Sequence, residues 1–94
     1  MSAALSGFSF TEAALTYLET SVPQKVRGQI IDKIKSPAQN PHPPGCSKVK
    51  GVKDGELSIY RIRSGDYRVL YSVRPGPLIM VLDIGHRKDV YRRT

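Results

Sequence analysis

The feature that most limits what this chain can become is a pair of alternating stretches in its second half, joined by short turns. Residues 56–63 set Tyr60 and Ile62 against Arg61 and Arg63, and residues 66–74 set Tyr67, Val69, Tyr71 and Val73 against Arg68, Leu70, Ser72 and Arg74. A period of two is the strand period, because successive side chains leave a strand on opposite faces. Ser64-Gly65 and Pro75-Gly76 read as turns, and residues 78–84 read as a further, more uniformly apolar strand. The pattern predicts two consecutive hairpins with one apolar, aromatic face. Arg61, Arg63 and Arg68 then gather on the opposite, open face.

An apolar sheet face needs a cover, and the N-terminal third has the means to supply it. Residues 1–4 read as a disordered leader, and residues 5–10 as a short strand with Phe8 and Phe10 on one side. Thr11 is placed to cap a helix, with Glu12 in its first turn and Ala14, Leu15 and Leu18 as its apolar stripe through about Thr20. Pro23 suits the first position of a second helix, on which Val26, Ile30, Ile31 and Ile34 share a face while Lys25, Gln29, Lys33 and Lys35 look away. Ser36-Pro37 is expected to end it, and the proline-rich run from Pro37 to Ser47 reads as a loop. A hairpin of two helices is too small to bury itself, so residues 1–94 are expected to form a single domain. The expected fold is α+β, a two-helix N-terminal hairpin packed on a small twisted antiparallel β-sheet.

The formal charge is +7, from 15 Lys and Arg against 8 Asp and Glu. It is unevenly spread: residues 1–47 carry a net +1 and residues 48–94 a net +6, from eleven bases and five acids. A polyanion would therefore meet the C-terminal half, and nucleic acid or an acidic protein suits that field. The single cysteine, Cys46, can make no internal disulfide, and His42 reads as an exposed loop residue. No signal peptide or membrane span is expected, which points to the cytoplasm and away from a membrane partner. No Gly-rich phosphate loop, nucleophile elbow or metal-ligand spacing is present, and no cofactor or metal is expected.

Three guanidiniums around one turn repel one another unless an anion stands between them, and phosphate matches guanidinium with paired acceptors. His86 and Tyr91, near the end of the chain, add groups able to move protons. Arginine, histidine and tyrosine together are the equipment for cleaving a phosphodiester by attack of the ribose 2′-hydroxyl.

The runs Tyr60-Arg61-Ile62-Arg63-Ser64-Gly65-Asp66-Tyr67-Arg68-Val69-Leu70-Tyr71 and Ile84-Gly85-His86-Arg87-Lys88-Asp89-Val90-Tyr91-Arg92 resemble the RelE branch of the RelE/ParE toxin superfamily of bacterial toxin–antitoxin modules. The order of elements is similar too, over roughly residues 5–92. The resemblance implies a microbial-RNase-like fold and a toxin that cuts messenger RNA in the ribosomal A site without a metal, leaving a 2′,3′-cyclic phosphate. By the same resemblance Arg68 would hold the scissile phosphate and Arg87 would stabilise the transition state. Arg61 would be a basic residue of the catalytic strand, and Tyr91 would stack on a base or assist proton transfer.

Where the best-known enterobacterial member has a lysine, two residues before the position of Arg61, this chain has Ile59, so the general base is not supplied by the resemblance. His86 is a candidate for that work. Lys48, Lys50, Lys53, Arg63 and Lys88 are expected contacts to RNA and the ribosome. The implied partners are messenger RNA, the ribosome and an acidic, RelB-like antitoxin. Two other readings stay open: a ParE-type gyrase poison, which shares the fold, and a non-catalytic basic module that binds RNA or an antitoxin.

Overall fold

A computed structural model describes residues 7–39, 46–75 and 78–86 of the chain. In chain order the elements are β1 (Phe8–Phe10), α1 (Glu12–Ser21), α2 (Gln24–Gln39), β2 (Ser47–Asp54), β3 (Leu57–Ser64), β4 (Tyr67–Arg74) and β5 (Leu78–His86). The five strands form one sheet in the order β1-β5-β4-β3-β2, and α1 and α2 lie on one face of it. The expected α+β architecture is therefore observed, with one addition. The sheet is antiparallel from β5 through β2, but β1 joins β5 in parallel, with Phe8 opposite Ile79 and Phe10 opposite Val81. A parallel partner is reached only through a crossover, and here nearly the whole chain makes it.

Helix α1 starts as expected. The Thr11 hydroxyl accepts from the Ala14 amide at 3.2 Å, and the Leu15 amide bonds the Thr11 carbonyl at 3.0 Å. The apolar stripe departs from expectation at Leu15, which is 41% exposed, while Ala14 and Leu18 are buried and Tyr17 packs beside them. Val22 and Pro23 turn the corner into α2. Arg27 braces it, its guanidinium donating to the carbonyls of Val22 at 3.0 Å and Glu19 at 2.7 Å, acceptors the end of α1 leaves open.

Helix α2 buries Ile30 and Ile34 completely and keeps Lys25, Gln29, Lys33 and Lys35 in solvent. It does not stop at Ser36-Pro37 but runs to Gln39. A proline this near the end removes one backbone donor while the preceding turns stay anchored by the two isoleucines, so the last turn survives the loss.

Strand β2 (Ser47–Asp54) is the other departure, since the strand alternation read from the sequence begins only at residue 56. Val49 pairs with Ile59 and Lys53 with the adjacent Ser58, so Lys50, Gly51 and Val52 bulge out of the ladder, with Gly51 at φ +80°. The two tight hairpin turns among the described residues place glycine at the first central position. Gly55 at φ +63° joins Asp54 to Leu57, and Gly65 at φ +58° joins Ser64 to Tyr67. The turn expected at Ser64-Gly65 is thus Gly65-Asp66. With no other residue type at positive φ among those described, these are turns of the type II′ kind, whose twist suits a hairpin.

The core is the layer between the helices and the sheet: Ala14, Leu18, Val22, Ile30 and Ile34 meet Ile62, Val69, Tyr71, Ile79, Val81 and Ile84. Tyr71 is wholly buried and stacks on Tyr60 at 5.7 Å. Burial pushes its hydroxyl far up the pH scale, and a hydrogen bond with Cys46 adds to this, so the ring stays neutral. The Ile34→Ala substitution is expected to cost about 3 kcal/mol, against less than about 0.5 kcal/mol for Leu15→Ala, by urea denaturation followed by circular dichroism.

Candidate functional site

The face of the sheet turned away from the helices is organised in rows that cross the strands. Arg63 on β3 stands opposite Arg68 on β4, which stands opposite Gly85 on β5; the next row is Ser47, Arg61, Leu70 and Asp83, and the one after it Val49, Ile59, Ser72 and Met80. Directly paired residues share a face, with Cβ atoms about 5 Å apart. The alternation read from the sequence thus puts Arg61, Arg63 and Arg68 on one surface, two of them as direct neighbours.

These arginines differ in how they are held. Arg68, on the central strand, is buried at 8% exposure, Arg61 is half-buried and Arg63 is exposed. The Arg61 guanidinium donates to the Ser47 hydroxyl at 3.3 Å. Beside the turn, a cleft of about 370 Å³ is lined by Lys33, Ile62, Arg63 and Gly65, so helix α2 brings one more cation to the margin of the arginine group. Cations gathered this closely favour an anion that approaches this end of the face.

A fourth arginine of this face, Arg74, forms an ion pair. Arg74 donates to the Asp54 carboxylate at 2.7 Å, and the Ser72 hydroxyl donates to the same oxygen at 2.8 Å. The Arg74 hydrogen bond, helped by that from Ser72, holds the Asp54 carboxyl below its ordinary value of 3.8. Sequence reasoning did not single out this cluster. The signal was there, because the same count of two that groups the arginines puts Ser72 and Arg74 on their face, but Asp54 reaches it only through the bulge in β2.

His86 lies at the end of β5 opposite Tyr67, and the two rings meet edge to face at 5.6 Å. Tyr67 shares its parity with Val69 and Tyr71, so His86 is on the helix side of the sheet, away from the arginines. Its backbone amide donates to the Tyr17 hydroxyl at 3.0 Å, which ties the end of β5 to α1. Lys48 and Lys53 pair with Tyr60 and Ser58 and also belong to the helix side, while Lys50 lies in the bulge; all three are exposed. Arg87, Lys88 and Tyr91 lie outside the described residues, as does His42. The structure therefore brings together Arg61, Arg63 and Arg68 and holds His86, Lys48 and Lys53 apart from them. Among the described residues no group of three or more His, Cys, Asp or Glu side chains is arranged to hold a metal ion. Likewise no described helix is long and apolar enough to cross a membrane.

The chain is similar to known proteins along almost its whole length. Residues 9–91 match the family model of the ParE toxin of type II toxin–antitoxin systems, parDE. The archaeal RelE–RelB complex from Pyrococcus horikoshii OT3 contains a chain 27% identical to this one, with a TM-score of 0.69 over 85% of this chain and 92% of that one. The RelB–RelE antitoxin–toxin complex from Methanococcus jannaschii contains one 26% identical, with a TM-score of 0.66 over 89% and 95%. No curated protein sequence matches.

The Asp54 cluster generates a pH test. A carboxylate whose folded-state value is depressed contributes stability that is present above its unfolded value and lost as the pH falls through the folded one. Asp54→Asn is expected to cost about 1 kcal/mol near neutrality. The gap from the unsubstituted protein should close below pH 3.8, as read by denaturation at a series of pH values.

Proposed function

The chain belongs to the ParE toxin family of type II toxin–antitoxin systems, within the RelE/ParE superfamily, and on that premise we propose that it is a ribosome-dependent messenger-RNA endoribonuclease. The observation that carries the reading is the meeting of Arg61, Arg63 and Arg68 on the open face of the sheet. Arg68 engages the scissile phosphate with paired N–H groups from a largely desolvated position, where a fixed positive charge acts most strongly on developing negative charge. Arg61 and Arg63 flank it and neutralise the phosphorane or the neighbouring phosphates. The ribose 2′-oxygen attacks, the 5′-oxygen leaves, and a 2′,3′-cyclic phosphate remains. Arg87 and Tyr91 contribute from the C-terminal segment, Arg87 to the transition state and Tyr91 to the base or the leaving group. Lys48, Lys50, Lys53 and Lys88 add contacts to ribosomal RNA that carry no sequence information.

The toxin acts in the cytoplasm and is silenced there by an acidic antitoxin. The +7 charge suits such a partner, and the two solved structures compared above are complexes of RelE with RelB. The family model bears the ParE name, which favours gyrase poisoning as the second reading.

Primer extension on a translated reporter message after induction decides between them. Discrete, translation-dependent cuts are expected, and Arg68→Ala is expected to weaken them at least 100-fold, the usual cost of removing one donor to a developing oxyanion. Arg87→Ala should do the same. An intact message in arrested cells, with gyrase trapped on cleaved DNA, would establish the second reading instead.

A further inference from the structure

We propose that Asp83 is the general base of the cleavage, an assignment that rests on the ribonuclease reading above. Phosphodiester cleavage on the arginine face needs a group that takes the proton of the 2′-hydroxyl. Ile59 occupies the lysine position of the resemblance and carries no acceptor, and the His86 ring is on the other side of the sheet. Among the described residues two carboxylates share the face with the arginines, Asp54 and Asp83. Asp54 stands with Arg74 and Ser72 at the far end of the face, away from the row of Arg63, Arg68 and Gly85. Asp83 is half-buried in the row of Arg61 and Leu70, next to the row of Arg63, Arg68 and Gly85.

An interruption of β5 is what puts it there. Ile79 and Val81 point into the core opposite Val73 and Tyr71, and uninterrupted alternation would send residue 83 into the core after them. Instead Leu70 pairs with Asp83 and Tyr71 with Val81, so Leu82 is an extra residue that reverses the parity. Ile84 then falls inward and is fully buried, and Asp83 falls outward among the arginines. Thr11 pins the bulge, its hydroxyl donating to the Leu82 carbonyl at 3.0 Å and its amide to the Val81 carbonyl at 2.9 Å. Gly85, in line with Asp83 on the same face, has no side chain to crowd the space beside Arg68. A phosphate held there brings its ribose within reach of the Asp83 carboxylate.

In the step itself the Asp83 carboxylate takes the 2′-hydroxyl proton as the 2′-oxygen bonds to phosphorus. The bond from phosphorus to the 5′-oxygen breaks, and the 5′-oxygen takes a proton from water. The hydroxide so formed is neutralised by the proton that Asp83 gives up, which restores the carboxylate.

Single-turnover cleavage of messenger RNA on programmed ribosomes tests this with the wild type, Asp83→Asn, Asp83→Glu and Arg68→Ala, each checked for folding by its melting transition. Asp83→Asn is isosteric and should lower the maximal rate at least 100-fold with half-saturation changed less than about threefold, as general-base loss requires. Asp83→Glu should recover at least tenfold of that loss. A maximal rate for Asp83→Asn within threefold of wild type, a loss confined to half-saturation, or equal rates for the Asn and Glu variants would each overturn the assignment. A wild type that cleaves no better than Arg68→Ala would overturn the ribonuclease reading and this one with it.

Discussion

Strand register between β3, β4 and β5 is the constraint on which the remainder of this molecule depends. The central strand β4 is covered on both sides, with Val69 and Tyr71 buried against the helices and Arg68 and Ser72 buried on the outer face. A slip of one residue would exchange these sets, placing guanidinium in the apolar layer and tyrosine and valine in solvent. The cost of burying an unanswered charge makes that alternative inaccessible. The hydrophobic layer and the arginine group are therefore one arrangement, and packing on the helix side sets the spacing of charge on the other.

This explains what could be read in advance and what could not. Arg61, Arg63 and Arg68 were legible because their strands keep an unbroken period of two on either side of a two-residue turn. β2 was not, since a lysine-rich edge strand has no apolar face to reveal it, and its bulge breaks the alternation. In β5 the residues from Leu78 to Leu82 are apolar throughout, so no contrast marks where the parity reverses at Leu82, and the side taken by Asp83 or His86 could not be counted. The end of α2 is not legible from Pro37 alone, because the buried Ile30 and Ile34 hold the preceding turns and carry the helix to Gln39.

Charge on the open face is sorted as well as gathered. At one end Asp54 and Ser72 close around Arg74, leaving that region near neutral. At the other, Arg61, Arg63 and Arg68 surround a tight turn, with Lys33 approaching from α2. A flexible polyanion meeting this surface finds a gradient across a few strand spacings, which orients it as well as attracting it.

The parallel pairing of β1 with β5 has a consequence in time. Phe8, Ser9 and Phe10 leave the ribosome well before their partners Ile79, Met80 and Val81, which are among the last of the described fold to be made. Helices α1 and α2 can form early, but the layer they cover is incomplete until β5 enters between β1 and β4. A nascent chain can thus expose its basic hairpin without a finished scaffold behind it. Closure of the sheet makes assembly all-or-none and postpones it until β5 has been made.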